Sequence, residues 1–168
     1  SASLGLARGL ARGLVRACGS AGARRSGRFA RVFEAVHSEA TSADPEAVWA
    51  LWADPGRWPE WNEQLHSAEL RGPLEPGTEA VIKYKRGGRM VLELVAVEPG
   101  RRLAYEARLP LARFGHEHRV EPSGSGSELT HRAYLRGPLS APFSVLFGRR
   151  RMRESVRGFA ARVRELAE

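Results

Sequence analysis

Cysteine and long apolar segments are nearly absent from this sequence. The one cysteine among the 168 residues is Cys18, so the chain can form neither an internal disulfide nor a thiolate metal cluster. No apolar run approaches the roughly 18 residues that a membrane-spanning helix needs. Stability must therefore come from a packed core, and a chain of this length can bury one.

Acidic residues are missing from the first 33 positions, which hold seven arginines. The formal net charge of +8 falls to +1 when that segment is set aside. This contrast predicts a basic disordered arm or targeting segment over residues 1–33 and a folded domain over residues 34–168. The arm resembles an organelle transit peptide in composition but lacks the apolar segment of a secretory signal. We therefore expect a cytoplasmic protein, with organelle import as the alternative.

The first part of the folded domain reads as one strand followed by two short helices. Residues 34–42 have strand character and run into Asp44, Pro45 and Glu46. These three suit an N-cap, a first helical position and the positive end of a helix dipole, respectively. The predicted helix ends near Pro55, and a second helical turn follows over residues 58–62.

Glycine and proline turns divide the next segment into six predicted strands. No divider has room for a crossover helix, so the strands are expected to be antiparallel. The final segment, from about residue 140 to 167, predicts one long amphipathic helix with arginines on its polar side. The strands cover residues 65–71, 78–86, 89–98, 102–110, 114–121 and 128–136, and the apolar stripe of the helix consists of Met152, Val156, Phe159, Val163 and Leu166.

This order of elements resembles the START-like superfamily (SRPBCC), specifically its polyketide cyclase/dehydrase branch. The motifs that carry the resemblance are the segments ADPEAVW at residues 43–49 and DPGRWPEW at residues 54–61. The resemblance implies an α+β helix-grip fold, in which a curved antiparallel sheet wraps a long C-terminal helix and two short helices follow strand 1. Similar proteins include cyclases, lipid carriers and hormone receptors, so the resemblance does not fix the chemistry.

Alternation along the strands predicts which side chains face the interior. Centring the last hairpin on its serine-glycine turn places His118 opposite His131, and a short connection before it would place Tyr105 beside His118. In the strand over residues 89–98 we expect Glu93 and Val95 to face inward, although the opposite face is equally apolar. The predicted ligand-binding residues are Trp58, Trp61, Tyr84, Val95, Tyr105, Phe114, His116, His118, His131, Met152, Val156 and Phe159.

Three interpretations of the histidines stay open. They can bond one another, Tyr105 or trapped water; they can orient a ligand or transfer protons; or His116, His118 and His131 can offer three nitrogens to a metal. The similar families carry no such metal, so none is expected. Glu93 is either a paired carboxylate or a base, and the tryptophans either pack the short helices or line the ligand.

The function predicted from these features is the binding of a hydrophobic or aromatic small molecule, such as a lipid or a polyketide-like metabolite, between the sheet and the C-terminal helix. The alternative is a cyclase or dehydratase in which Glu93, Tyr105, His118 and His131 are the catalytic acid–base groups. No cofactor is expected, because the sequence contains no phosphate loop, nucleophile elbow or cofactor fingerprint.

Expected partners beyond the ligand are few. Nucleic acid is not expected, because no aromatic residues are interleaved with the arginines of the arm before Phe29. The four arginines at positions 149, 150, 151 and 153 follow an apolar stretch, which is compatible with a weak contact to an anionic membrane or with a solvated helix face. The second apolar face, at Met90, Leu92 and Leu94, hints at a homodimer or at packing of the arm on a monomer.

Overall fold

The computed structural model describes residues 32–168. The predicted arm lies outside the described residues except at its last two positions, so it stays a prediction. The strands are β1 (Val32–Thr41), β2 (Leu65–Leu70), β3 (Glu79–Tyr84), β4 (Arg89–Glu98), β5 (Arg102–Leu109), β6 (Ala112–Ser123) and β7 (Gly126–Arg136). The helices are α1 (Pro45–Ala53), α2 (Trp58–Trp61), α3 (Ser140–Phe147) and α4 (Arg149–Ala167), with a 3₁₀ turn at Pro55–Arg57 before α2.

The seven strands form one antiparallel sheet in the order β1-β7-β6-β5-β4-β3-β2. Consecutive strands from β2 to β7 are neighbours, as the short turns between them require. β1 pairs with β7 and lies at one edge of the sheet. The long helix α4 packs on β1 and β7 and also contacts α1 and α2. The predicted α+β architecture of a sheet packed on a C-terminal helix is confirmed.

The start of α1 follows the sequence expectation in part. Pro45 occupies the first turn of the helix, and Asp44 occupies the N-cap with an extended backbone. The Asp44 side chain, however, makes no capping hydrogen bond. Asp54 at the other end of the helix does bond locally, because its Oδ1 accepts from the backbone N–H of Gly56 at 2.8 Å. That bond fixes the turn that leads into α2.

The C-terminal segment contains two helices where one was predicted. Gly148 has φ +76°, in the left-handed region that favours glycine, and it separates α3 from α4. The apolar stripe of α4 is nevertheless as predicted, with Met152, Val156, Phe159 and Val163 all buried. The break lies just before this stripe begins.

The pairing of β5 with β6 differs from the expected one by two residues. Tyr105 lies directly opposite His116, and His118 lies opposite Leu103. The reason is a tight turn that pairs Leu109 with Ala112, whereas the expected short connection would have paired Leu109 with Phe114, two residues further on. On the other side of β6, His118 pairs with His131 as predicted.

The face predicted for β4 is wrong. Leu92 and Leu94 are buried, whereas Val91 and Val95 are exposed. Both faces of this strand are apolar, so alternation alone did not distinguish them. A register irregularity between Leu94 and Ala96 shifts the alternation in the second half of the strand. Because residues 92 and 94 face the core, this face gives no indication of a dimer.

Glu93 consequently lies on the outer side of the sheet rather than on the predicted inner wall. Its Oε2 accepts a hydrogen bond from Nη2 of Arg108 at 2.6 Å. The hydrogen bond to Arg108 and the charge of that guanidinium lower the pKa of Glu93. Glu93 is therefore a paired surface carboxylate and cannot act as a base inside the fold.

Candidate functional site

Three buried polar side chains on β5, β6 and β7 form a hydrogen-bonded chain. Tyr105 Oη lies 3.1 Å from Nε2 of His118, and Nδ1 of His118 lies 3.1 Å from Nδ1 of His131. Tyr105 reaches His118 diagonally across the strand pair despite the shifted register. Both contacts are hydrogen bonds when Tyr105 Oη donates to Nε2 of His118 and Nδ1 of His118 donates to Nδ1 of His131.

Indole and phenyl rings enclose the two imidazoles. The ring centroids of Trp52 and Trp61 lie 5.6 and 5.3 Å from that of His118, and Phe159 lies 6.3 Å from His131. His118 and His131 are almost completely inaccessible to solvent. The space between sheet and helix at this point is therefore filled by core side chains, and the histidine pair faces no hollow.

Burial keeps Tyr105, His118 and His131 uncharged near neutral pH. Desolvation lowers the pKa of His131 to about 3, with smaller contributions from the charges of other histidines. It also lowers the pKa of His118 well below the usual value and raises that of Tyr105. Groups with such displaced pKa values exchange protons poorly at pH 7. Their geometry supports the first interpretation of the histidines, in which they bond one another and Tyr105.

An open groove lies at one end of the sheet, beside the junction of α3 and α4. Its volume is about 420 Å³, and we call it the apolar groove. A small, partly open cavity of about 30 Å³ adjoins it and shares five of its lining residues, which leaves room for water but not for a larger ligand. The groove is lined by Asn62, Gln64, Tyr84, Met90, Phe114, His116, Leu146, Phe147, Arg151, Met152, Ser155 and Phe159.

Asn62, Tyr84 and His116 are the polar residues that border both the apolar groove and the cavity, and the last two are titratable. Desolvation lowers the pKa of His116 to about 4, so its imidazole is uncharged at pH 7. Burial also raises the pKa of Tyr84, and its Oη lies 3.9 Å from Sδ of Met90. The pair can thus offer a neutral donor and a neutral acceptor to a bound molecule.

The predicted site residues are divided between the groove and the core. Five of them line the apolar groove, namely Tyr84, Phe114, His116, Met152 and Phe159. Trp58 and Tyr105 line the small cavity. Val156 packs in a separate buried cluster with Ala35, Ala133, Leu135 and Met152. Val95, predicted to line the ligand, is exposed on the outer face of the sheet.

The tryptophans of α2 are fixed to α1. Nε1 of Trp58 donates to the carbonyl of Trp52 at 2.9 Å, and Nε1 of Trp61 donates to that of Leu51 at 3.2 Å. These carbonyls lie near the C-terminal end of α1, where no N–H group of the helix is available to donate to them. Both indoles are buried, and they hold α2 in place. Packing is therefore the role that the geometry gives them.

Several groove residues were missed by the sequence analysis. Leu146 and Phe147 belong to α3, whose separation from α4 was not foreseen. Arg151 and Ser155 are spaced one helical turn apart and flank the apolar stripe of α4, so that spacing could have found them. Asn62 and Gln64 follow α2 in a segment without a pattern, and no sequence signal marks them.

Among residues 32–168, no three histidine, cysteine, aspartate or glutamate side chains converge into a set that could hold a metal. Within the same part of the chain, no helix combines the length and the hydropathy needed to cross a bilayer.

An antiparallel sheet closed by a C-terminal helix, with an apolar groove between them, defines the helix-grip class of folds. The chain matches the model of one family in this class, described as "Polyketide cyclase / dehydrase and lipid transport", over residues 33–168. The chain belongs to that family. No curated protein matches it.

Solved structures show the same fold. The protein MLL2253 from Mesorhizobium loti is 22% identical, with a TM-score of 0.61 over 80% of this chain and 96% of that chain. Truncated norcoclaurine synthase from Thalictrum flavum is 13% identical, with a TM-score of 0.63 over 84% and 97% of the two chains. The di-domain ARO/CYC protein StfQ from the steffimycin biosynthetic pathway is 15% identical, with a TM-score of 0.63 over 81% and 50%. At these identities the likeness establishes the shared fold.

Proposed function

We propose that the protein binds a largely apolar small molecule in the apolar groove. The observation that carries the proposal is the groove itself, whose volume of about 420 Å³ falls within the range of about 300–1,000 Å³ typical of ligand sites. Its lining combines apolar side chains with the neutral pair His116 and Tyr84. A family that includes lipid transport proteins supports the same assignment.

The ligand that fits this lining has an apolar body and one or two uncharged polar groups. Placing an isolated charge beside His116 would cost free energy, because the same desolvation that lowers its pKa to about 4 would act on the ligand. A carbonyl or hydroxyl group, in contrast, can exchange hydrogen bonds with an imidazole or a phenol. Arg151 is exposed at the rim, where any charged end of the ligand would remain in water.

Binding of the uncharged fluorescent probe N-phenylnaphthylamine tests the proposal. Ser155 lies in the wall of the groove and is half-buried, so Ser155→Trp fills the groove with an indole. We expect at least about tenfold weaker binding, the equivalent of about 1.4 kcal/mol. Arg157→Trp is the matched control, since it adds the same side chain to an exposed position of α4.

Thermal unfolding of each variant establishes that the fold is retained. Equal probe affinity in Ser155→Trp and the unmodified protein would place the binding site elsewhere. An equal loss in Arg157→Trp would show that the added indole acts through the helix rather than by filling the groove. Either outcome would contradict the proposal.

A cyclase or dehydratase is the second candidate, and one observation favours it: His116 and Tyr84 border the same small cavity. The pKa of His116 near 4 makes it a weak base at pH 7, which is why binding without turnover is the first proposal. His118, His131 and Tyr105 lie deeper, behind packed rings. If a poly-β-ketone thioester is converted, His116→Phe should abolish product formation in a protein that still folds and still binds the apolar probe.

A further inference from the structure

The C-terminal end of α3 exposes apolar side chains to water. Val145 and Leu146 are each 74% exposed, although Phe143 and Phe147 of the same helix pack on the second core cluster. Leu111 in the turn between β5 and β6 is 69% exposed. Its carbonyl accepts from the N–H of Leu139, just before α3, so the turn and the helix lie at the same end of the sheet. We call Leu111, Val145 and Leu146 the apolar tip.

Positive charge borders the apolar tip. Arg149, Arg150 and Arg151 form the first turn of α4, which contains no acidic residue. The N-terminal end of a helix carries a partial positive charge of its own, so this turn adds cations where they are electrostatically unfavourable. Arg150 pairs with Glu154 but keeps 91% of its side chain exposed. The region therefore attracts anions.

The charge limits what can cover the tip. The first 33 residues of this chain hold seven arginines and no acid, so they would be repelled. A second copy placed symmetrically would bring the same arginines into contact with one another. The partner must instead combine negative charge with a surface that accepts aliphatic side chains. An anionic lipid surface offers both, with phosphate groups above an apolar layer.

We propose that the apolar tip and the first turn of α4 dock on the surface of an anionic lipid bilayer. Val145 and Leu146 insert among the acyl chains, and the three arginines contact the lipid headgroups. Leu146 and Arg151 also line the apolar groove, so docking places one wall of the groove against the bilayer. A role of that contact in ligand exchange rests on the proposed function, whereas the docking itself does not.

Co-sedimentation of the full chain with vesicles tests the docking. We expect binding to vesicles of phosphatidylcholine with phosphatidylglycerol, little binding to phosphatidylcholine alone, and a steep loss between about 0.1 and 0.5 M salt, because salt screens surface charges. Val145→Asp combined with Leu146→Asp should weaken binding at least about tenfold, since it removes the inserted groups and adds repulsion. Arg149→Glu combined with Arg150→Glu should have a similar effect.

The control variant is Val36→Asp combined with Val95→Asp, which places the same two substitutions at exposed valines outside the tip. It should bind as the unmodified protein does. Equal binding by the tip variant and the unmodified protein would refute the proposal and assign vesicle binding to another basic segment. Binding of soluble polyglutamate without any binding of vesicles would also refute it, in favour of an acidic protein partner. Probe affinity in the groove, measured on Arg149→Glu combined with Arg150→Glu, reports on the proposed function separately, because neither arginine lines the groove.

Discussion

The buried histidines should make the free energy of unfolding depend on pH in a defined direction. The folded pKa of His131 is about 3 and that of His116 is about 4, against 6.5 for an unperturbed imidazole. Between those values the unfolded chain binds protons that the folded chain does not. Stability is therefore complete above about pH 6.5 and is lost as the pH falls towards the folded pKa values.

The magnitude follows from the same values. At pH 5 an unfolded imidazole is almost fully protonated, whereas both folded ones remain mostly neutral. Each group then costs about 2 kcal/mol relative to pH 7. His118 adds a loss in the same direction, because burial also lowers its pKa. A fold of ordinary stability, about 5–15 kcal/mol, loses a large part of it over this interval.

Equilibrium unfolding in urea at pH 7 and pH 5, followed by tryptophan fluorescence, measures the effect. His131→Gln removes one titrating group, so its loss of stability between the two pH values should be about 2 kcal/mol smaller than that of the unmodified protein. His66→Gln is the matched control, because it makes the same substitution at an exposed position of β2. An identical change in the free energy of unfolding between pH 7 and pH 5 in His131→Gln and in the unmodified protein would refute the assignment of a neutral, desolvated His131.

Two further predictions concern packing, both measured by urea unfolding at pH 7. A Cβ on Gly115 would lie 2.3 Å from the ring of Tyr134, whereas one on Gly158 would meet nothing within 4 Å. We therefore expect Gly115→Ala to lower the free energy of unfolding by about 1–3 kcal/mol and Gly158→Ala to raise it by about 0.5–1 kcal/mol. Equal effects of the two substitutions would contradict the packing around residue 115. Trp58→Phe should destabilise the fold more than Trp52→Phe does, by about 1–3 kcal/mol. The reason is that Nε1 of Trp58 is hydrogen-bonded, while that of Trp52 is buried without a partner. A reversed order would contradict the hydrogen bond of Trp58.

The sequence predicted the elements well because their signals are local. The turn residues placed the ends of most strands within a few positions, and alternation on β6 and β7 correctly paired His118 with His131. Alternation failed on β4, where both faces are apolar and only tertiary packing decides which of them is buried. The register between β5 and β6 depended on the length of the turn that joins them. The residues of that turn do not indicate how tight it is, so the pairing of Leu109 with Ala112 was not predicted.

The candidate site was harder to predict than the fold, because a groove forms only where side chains from separate segments leave space between them. Parity on the strands found Tyr84, Phe114 and His116, which do line the groove. It could not show that the indoles of α1 and α2 occupy the space in front of His118 and His131. That outcome depends on the volume and orientation of rings from separate segments, which no single pattern in the sequence records.

The position of the groove follows from how the helices cover the sheet. α4 packs on β1 and β7, α1 on β5 and β6, and α2 on β2. The ends of β3 and β4 at Tyr84 and Met90 are left to border the groove. A ligand that reached His118 from there would have to displace Trp58 or Trp61, and losing the packing of a buried tryptophan costs about 3–5 kcal/mol. Contact with His116 requires no such displacement, so any chemistry performed on a bound molecule should depend on His116 before it depends on the deeper pair.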